Sequence, residues 1–367
     1  MKLFGRYLLP LMLGFIPVSI GLEYWAPERQ SVIFVTAGLA ILPLAAYIGR
    51  STEALAEQLG GSIGGLLNAT FGNAAELIIG ALALREGLTD LVKASITGSI
   101  IGNLLLVFGA SALVGGLRYP VQRFNRTAAG LGTTMLLLST IALAVPAVFH
   151  QLAVARGVPD APELTLDTEI AFVLFATYCL GLVFTLRTHR EATGTDVPAV
   201  QQPAGRSHEK KPPESKKRSF LVLLAATAGV AVVSEILVGA VNATARDLGF
   251  SQLFVGVVIV ALVGNAAEHY SAIVLAASDQ MDAAIAIAVG SSTQIALFVA
   301  PVLVFLSYAL APQPMDLLFS TFEVVAIALS VISIAFIAHD GETHWMEGVQ
   351  LLAVYVILAL GFFFLPA

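Results

Sequence analysis

The pentapeptide Gly-Asn-Ala-Ala-Glu occurs twice, at Gly72–Glu76 and Gly264–Glu268, 192 residues apart and each inside a long apolar run. Downstream, Gly98-Ser99 recurs as Gly290-Ser291 at the same offset, so two spaced elements, not one string, are in register. A carboxylate inside an apolar span is costly and marks a functional site by default. A duplicated one implies two halves built alike, each presenting an acid to a shared interior.

Hydrophobic residues make up 57% of the 367 positions and charged residues 12%. That is too apolar for a soluble domain, and several stretches exceed about 18 residues without a charge. The fold class expected is an all-α integral membrane protein with eleven transmembrane helices. The spans read as Leu3–Trp25, Val32–Gly49, Ile63–Leu84, Leu91–Leu117, Ala128–Phe149 and Ile170–Leu186. After a polar linker come Phe220–Ala243, Leu253–Ala277, Ala283–Leu306, Leu317–Ile337 and Trp345–Leu365. The first run lacks a small-residue cleavage site and looks long enough to cross, so it reads as a retained span rather than a signal peptide.

The linker, residues 187–218, holds Pro198, Pro203, Pro212 and Pro213 and carries eight Lys/Arg against four acids. Its composition is that of a flexible tether, and its charge marks it cytoplasmic. Counting outward puts the N-terminus inside, with 14 of the 19 Lys/Arg on cytoplasmic segments. The loop with Arg118, Arg123 and Arg126 and the acidic loop Asp340–Glu347 both fall inside. Five spans lie between the first helix and the linker. Five is odd, so the two halves have opposite orientation. The division is an extra N-terminal helix (1–30), a five-helix repeat (31–186), the linker, and an inverted five-helix repeat (219–367). The expected location is the plasma membrane of a prokaryote, or a vacuolar-type membrane in a eukaryote.

Helical spacing puts Asn73 and Glu76 on one face at i and i+3, and Asn265 and Glu268 repeat this. Gly72 and Gly264 let backbone or an ion approach and allow the helix to be irregular, which is tolerated at membrane depth only beside a cavity. In the following span of each half, hydroxyl and amide groups gather. Ser99 and Asn103 stand at i, i+4, and Ser291 and Gln294 at i, i+3 in the run Ser291–Gln294. Carboxylate, amide oxygen, hydroxyl and carbonyl form a hard-oxygen set suited to calcium. The amides and hydroxyls taken singly are ordinary helix-packing groups, whereas Glu76 and Glu268 have no such bland reading. Glu235 and Glu323, also in apolar spans, are candidates for proton movement or cation access. His269 is next to Glu268 on another face, which suggests packing or an internal hydrogen bond. Glu53 and Glu57 read as a solvated face, and His339, Asp340 and His344 as an interfacial cluster.

The single Cys179 excludes an internal disulfide and a cysteine-rich metal site. P-loop, HExxH and GxSxG patterns are absent, as is any Gly-Lys dipeptide, so an enzyme is disfavoured, and neither a cofactor nor a nucleic-acid partner is expected. The partners expected are the bilayer and small cations.

With these residues in view, the chain resembles the calcium/proton exchangers of the calcium/cation antiporter superfamily. The matching text runs Leu66–Glu76, Lys93–Asn103, Val257–His269 and Gly290–Pro301. The sodium/calcium branch is expected to place proline before the motif glutamate, where this chain has Ala75 and Ala267. The resemblance implies that Glu76 and Glu268 bind calcium and protons alternately, with Gly72 and Gly264 backbone oxygens in support. Ser99, Ser291, Gln294, Asn73, Asn265 and Asn103 would line the site. It implies a secondary antiporter that exports cytosolic calcium against protons. A sodium-coupled or manganese-carrying exchanger of the same fold, and a passive cation channel, are the alternatives. Some family members carry an acidic segment between the halves. Here the linker is basic, so regulation through such a segment is not implied.

Overall fold

The computed structural model describes residues 9–59, 61–158, 163–188 and 215–365. Most of the predicted linker, residues 189–214, lies outside the described residues, as do residues 3–8 of the first predicted span. Helices α1 (Leu9–Met12) and α2 (Phe15–Trp25) occupy the remainder of that span. Then come α3 (Gln30–Leu59), α4 (Gly61–Phe71) and α5 (Ala74–Arg85). The first half closes with α6 (Thr89–Gly116), α7 (Arg126–Arg156) and α8 (Glu163–Thr188). The second holds α9 (Lys216–Leu248), α10 (Gln252–Gly264), α11 (Ala266–Ala276), α12 (Met281–Leu310), α13 (Thr321–Ala338) and α14 (Trp345–Phe364).

Eight of these helices are each long and apolar enough to cross a membrane, and α10 with α11 forms a further span bent by 63°. The pair α4 and α5 stands at the equivalent place in the first half, and α1 with α2 forms a shorter apolar stretch, Leu9–Trp25. The breaks fall at the motif asparagines. Asn73 (φ −102°, ψ 21°) and Asn265 (φ −96°, ψ 6°) both leave helical geometry. A short polar side chain that competes for backbone bonds, next to a glycine without conformational restraint, weakens a helix there.

The 192-residue register persists in three dimensions. Helices α5 and α11 begin at Ala74 and Ala266, and α6 and α12 at Thr89 and Met281. Wide π turns follow at Gly102–Val107 in α6 and Ile295–Val299 in α12, again about one repeat apart. Helices α3 and α9 pack along each other, with Ser31 donating to Asp247 at 3.1 Å, so the start of α3 meets the end of α9. The end of α3 touches α4, which reaches the last turn of α8. The end of α8 and the start of α9 therefore share one face, here the linker face; the opposite one is the far face.

On the linker face a two-stranded antiparallel ladder joins the halves, β1 (Gln122–Arg123) to β2 (Glu342–Thr343). The predicted basic and acidic loops thus meet, with Arg123 and Glu342 paired at 2.9 Å. His344 caps α14 and His339 lies 3.4 Å from Arg126, so that histidine cluster serves local structure. Several helices run past their predicted apolar spans, α3 to Leu59, α7 to Arg156 and α9 to Leu248, and one starts late. Leu317–Ser320 is irregular, not helical, because Ser320 and Glu323 form a capping box that starts α13 four residues later than hydropathy suggests. The apolar Leu317 and Phe319 are buried all the same, in a segment that folds back into the core.

Candidate functional site

Glu76 and Glu268 stand in the first turns of α5 and α11. That placement follows from the helix breaks: each motif ends one arm and opens the next, and the new N-terminus favours an anion in its first turn. The two arms come from opposite halves and meet. A Cβ placed at Gly264 would lie 3.5 Å from Glu76 Oε1, so the absent side chain of one motif makes room for the acid of the other. The two carboxylates are close enough to act on each other electrostatically.

The polar groups expected from sequence gather around them. Asn73 donates to Gln294 Oε1 at 2.5 Å. Asn265 donates to Ser99 at 2.8 Å and to the Ala261 carbonyl of its own helix at 3.0 Å. Asn103 donates to Ser291 at 3.1 Å and to Asn265 Oδ1 at 3.4 Å. Ser291 in turn donates to Glu268 Oε2 at 2.5 Å. Gly72 lies near Gln294, whose Oε1 would be 3.9 Å from an added Cβ. His269, read from sequence as a packing residue or the maker of an internal hydrogen bond, sits 3.2 Å from Asn103 Oδ1 and so belongs to this network.

The halves are alike in sequence but not in bonding. Glu268 is met by a hydroxyl. Glu76 Oε2 and Asn73 Oδ1 are buried with no hydrogen-bond partner. Buried acceptors are nearly always satisfied, and each orphan costs about 1–3 kcal/mol. Two such oxygens on one motif are suited to a hard cation. Among the described residues, no three acid, histidine or cysteine side chains converge as a metal cluster, so a cation here would depend on amide, hydroxyl, backbone or water oxygens as well.

Glu235 and Glu323 lie elsewhere. Glu235 is exposed and pairs with Arg85 of the other half at 2.7 Å. Glu323 is 4% exposed, and both its oxygens are engaged, by Thr97 at 3.0 Å and by the Ser320 amide at 2.9 Å. It lines a far-face bowl of about 850 Å³ between the starts of α6 and α13 and the ends of α7 and α9. Sequence reasoning overlooked Ser95. It stands one turn before Ser99 on the same face of α6, and this i, i+4 hydroxyl pair was the available signal.

The two halves pack differently around the site. Gly98 of α6 is so near α10 that an added Cβ would strike the Val257 carbonyl. The equivalent Gly290 of α12 faces open space. Helix α4, the counterpart of α10, rests mainly on α3 and the end of α8, leaving Asn68 and Thr70 exposed.

Two inverted five-helix halves, each contributing a broken span, make this the fold of a membrane exchanger. Residues 30–187 and 218–364 match the family described as sodium/calcium exchanger protein, and the chain belongs to that family. It is 45% identical over 367 residues to the Ca(2+)/H(+) antiporter ChaA of Bacillus subtilis (strain 168), covering 98% of this chain and 100% of that one. It is 43% identical over 367 residues to a Ca(2+)/H(+) antiporter of Synechocystis sp., covering 97% of each. Among solved structures, native YfkE superposes with a TM-score of 0.81 at 42% identity, over 97% of this chain and 100% of that one.

Proposed function

We propose that this protein is a secondary calcium/proton antiporter in which both ions compete for the Glu76–Glu268 pair. The observation that carries the reading is the seat of Glu76. Its carboxylate crosses from one half to rest on Gly264 of the other, with one oxygen buried and unpartnered. The full-length likeness to Ca(2+)/H(+) antiporters supports the choice of ions.

A bare carboxylate is too costly to carry through apolar protein, so each acid moves neutralised by a proton or a cation. That is the coupling: calcium displaces protons and protons displace calcium. Asn73, Asn265, Ser99, Asn103, Ser291 and Gln294 orient the acids and supply further oxygens, with Gly72 and Gly264 at the helix breaks. The unequal packing of the equivalent Gly98 and Gly290, one against α10 and the other facing open space, supports alternating access, with the linker face cytosolic and calcium moving outward. Holding a ten-thousandfold calcium gradient costs about 5.6 kcal/mol at about 1.4 kcal/mol per decade. One proton falling through one pH unit yields about 1.4 kcal/mol. More than one proton per calcium, or help from the membrane potential, is therefore needed.

The test is calcium uptake into sodium-free inverted vesicles under an imposed pH gradient. Wild type should accumulate calcium, and Glu76→Gln and Glu268→Gln should each abolish uptake while remaining folded, since glutamine cannot bind calcium as an anion. Uptake that requires sodium would favour sodium coupling. Substantial proton-driven flux in either folded variant would refute the shared pair.

A further inference from the structure

A small cavity adjoins Glu76 on its far-face side. It is walled by apolar groups, Ile79, Ala83, Leu91 and Leu303 among them, apart from Glu76 itself and two hydroxyls, Ser95 and Ser99. Its volume is about 20 Å³, above the roughly 10–15 Å³ one water needs, and a buried water requires two to four polar partners. Glu76, Ser95 and Ser99 supply three. The acid that lines it carries the orphaned Oε2.

The coordination arithmetic gives such a water a task. Calcium takes about six to eight oxygens. The buried acceptors left free are Glu76 Oε2 and Asn73 Oδ1, while Glu268 has one oxygen already met by Ser291. Protein side chains fall short of a full shell, so the ion must keep part of its hydration. The cavity beside Glu76 has apolar walls, room for a single water and two hydroxyls. In the other half, one repeat further on, Ile287 stands where Ser95 stands here, so this seat is single.

We propose that this cavity seats one water, held by Ser95 and Ser99, which completes the coordination of the cation at Glu76, and that Ser95 is its positioning residue. The inference rests on the reading of Glu76 as a cation ligand. Ser95 itself does not touch the ion; it acts through the water.

The test uses the full chain in proteoliposomes, with calcium as the probe. Ser95→Val fills the cavity with methyl groups and removes the hydroxyl. Its apparent KM for calcium should rise about tenfold, with maximal flux close to wild type, as expected when a buried polar partner is lost. Ser95→Ala removes the hydroxyl but leaves room for the water, and should raise KM only about two- to threefold. Ser95→Thr keeps the hydroxyl and should restore much of the affinity. An unchanged KM in Ser95→Val, or a fall in maximal flux with KM unchanged, overturns the water seat. Glu76→Gln, assayed in parallel, separates the two readings. If it is inactive while Ser95→Val is normal, only the water seat fails. If it transports calcium, the assignment of Glu76 fails and the water seat falls with it.

Discussion

The pair Gly98 and Gly290 offers the sharpest test of how the protein moves. They are equivalent by the repeat, yet their surroundings differ: an added Cβ meets the Val257 backbone at one and nothing within 4 Å at the other. Backbone cannot turn aside as a flexible side chain can, so Gly98→Ala must push α6 from α10. Overpacking of this kind costs about 1–3 kcal/mol, and it falls on the conformation in which α6 rests on α10, which under the proposed alternating access is the one closed at the far face. That biases the equilibrium by about 5–150-fold toward a conformation open there. Gly290→Ala costs nothing in the conformation described. It should impose a like penalty on its inverted counterpart, in which α12 closes on α4. The two substitutions therefore pull in opposite directions, and the double variant should lie between them. The assay starts from Cys179→Ser, which removes the single native cysteine, and adds Asn68→Cys on exposed α4 as a reporter. An impermeant thiol reagent is applied from the linker face. Gly98→Ala should label more slowly than the parent, and Gly290→Ala at least as fast. If both slow labelling alike, or Gly98→Ala changes nothing, the inverted-state argument is wrong.

Two further outcomes follow from the site. Asn103→Leu removes bonds to Ser291, Asn265 and His269 at once. With each stranded partner worth about 1–3 kcal/mol, it should lower the Tm in detergent and weaken apparent calcium affinity together; a variant with both unchanged would show that the network is idle. Far-face acidification should weaken apparent calcium affinity while flux at saturating calcium changes little, because proton and calcium need the same oxygens. Flux titrated against calcium at several pH values checks this, and a fall in maximal rate alone would point to a separate proton path.

Much of this protein was legible in its sequence because a membrane leaves few choices. Apolar runs must be helices, since backbone groups in lipid need internal partners. Two identical motifs in opposed halves then have to face one another. Those arguments yield a many-span helical fold built as an inverted repeat, which agrees with the structure, and the polar residues singled out lie near Glu76 and Glu268 in space. Charge counting also put the Arg123 and Glu342 loops on one face, where they pair.

What sequence could not supply was the difference between equivalent positions. Glu76 and Glu268 share one motif, yet Ser291 meets one and the other is bare. Gly98 and Gly290 each belong to a Gly-Ser dipeptide, yet one abuts the Val257 backbone and the other has nothing within 4 Å of an added Cβ. Glu235 and Glu323 read alike as acids in apolar spans. Tertiary packing paired one with Arg85 and turned the other into a helix cap. An internal repeat encodes two equal halves, yet in the folded chain α10 packs against α6 while its counterpart α4 rests on α3, so equivalent residues meet different neighbours. That asymmetry resides in the packing of α4 against α3 and of α10 against α6, contacts set by the balance of the whole assembly rather than by either motif.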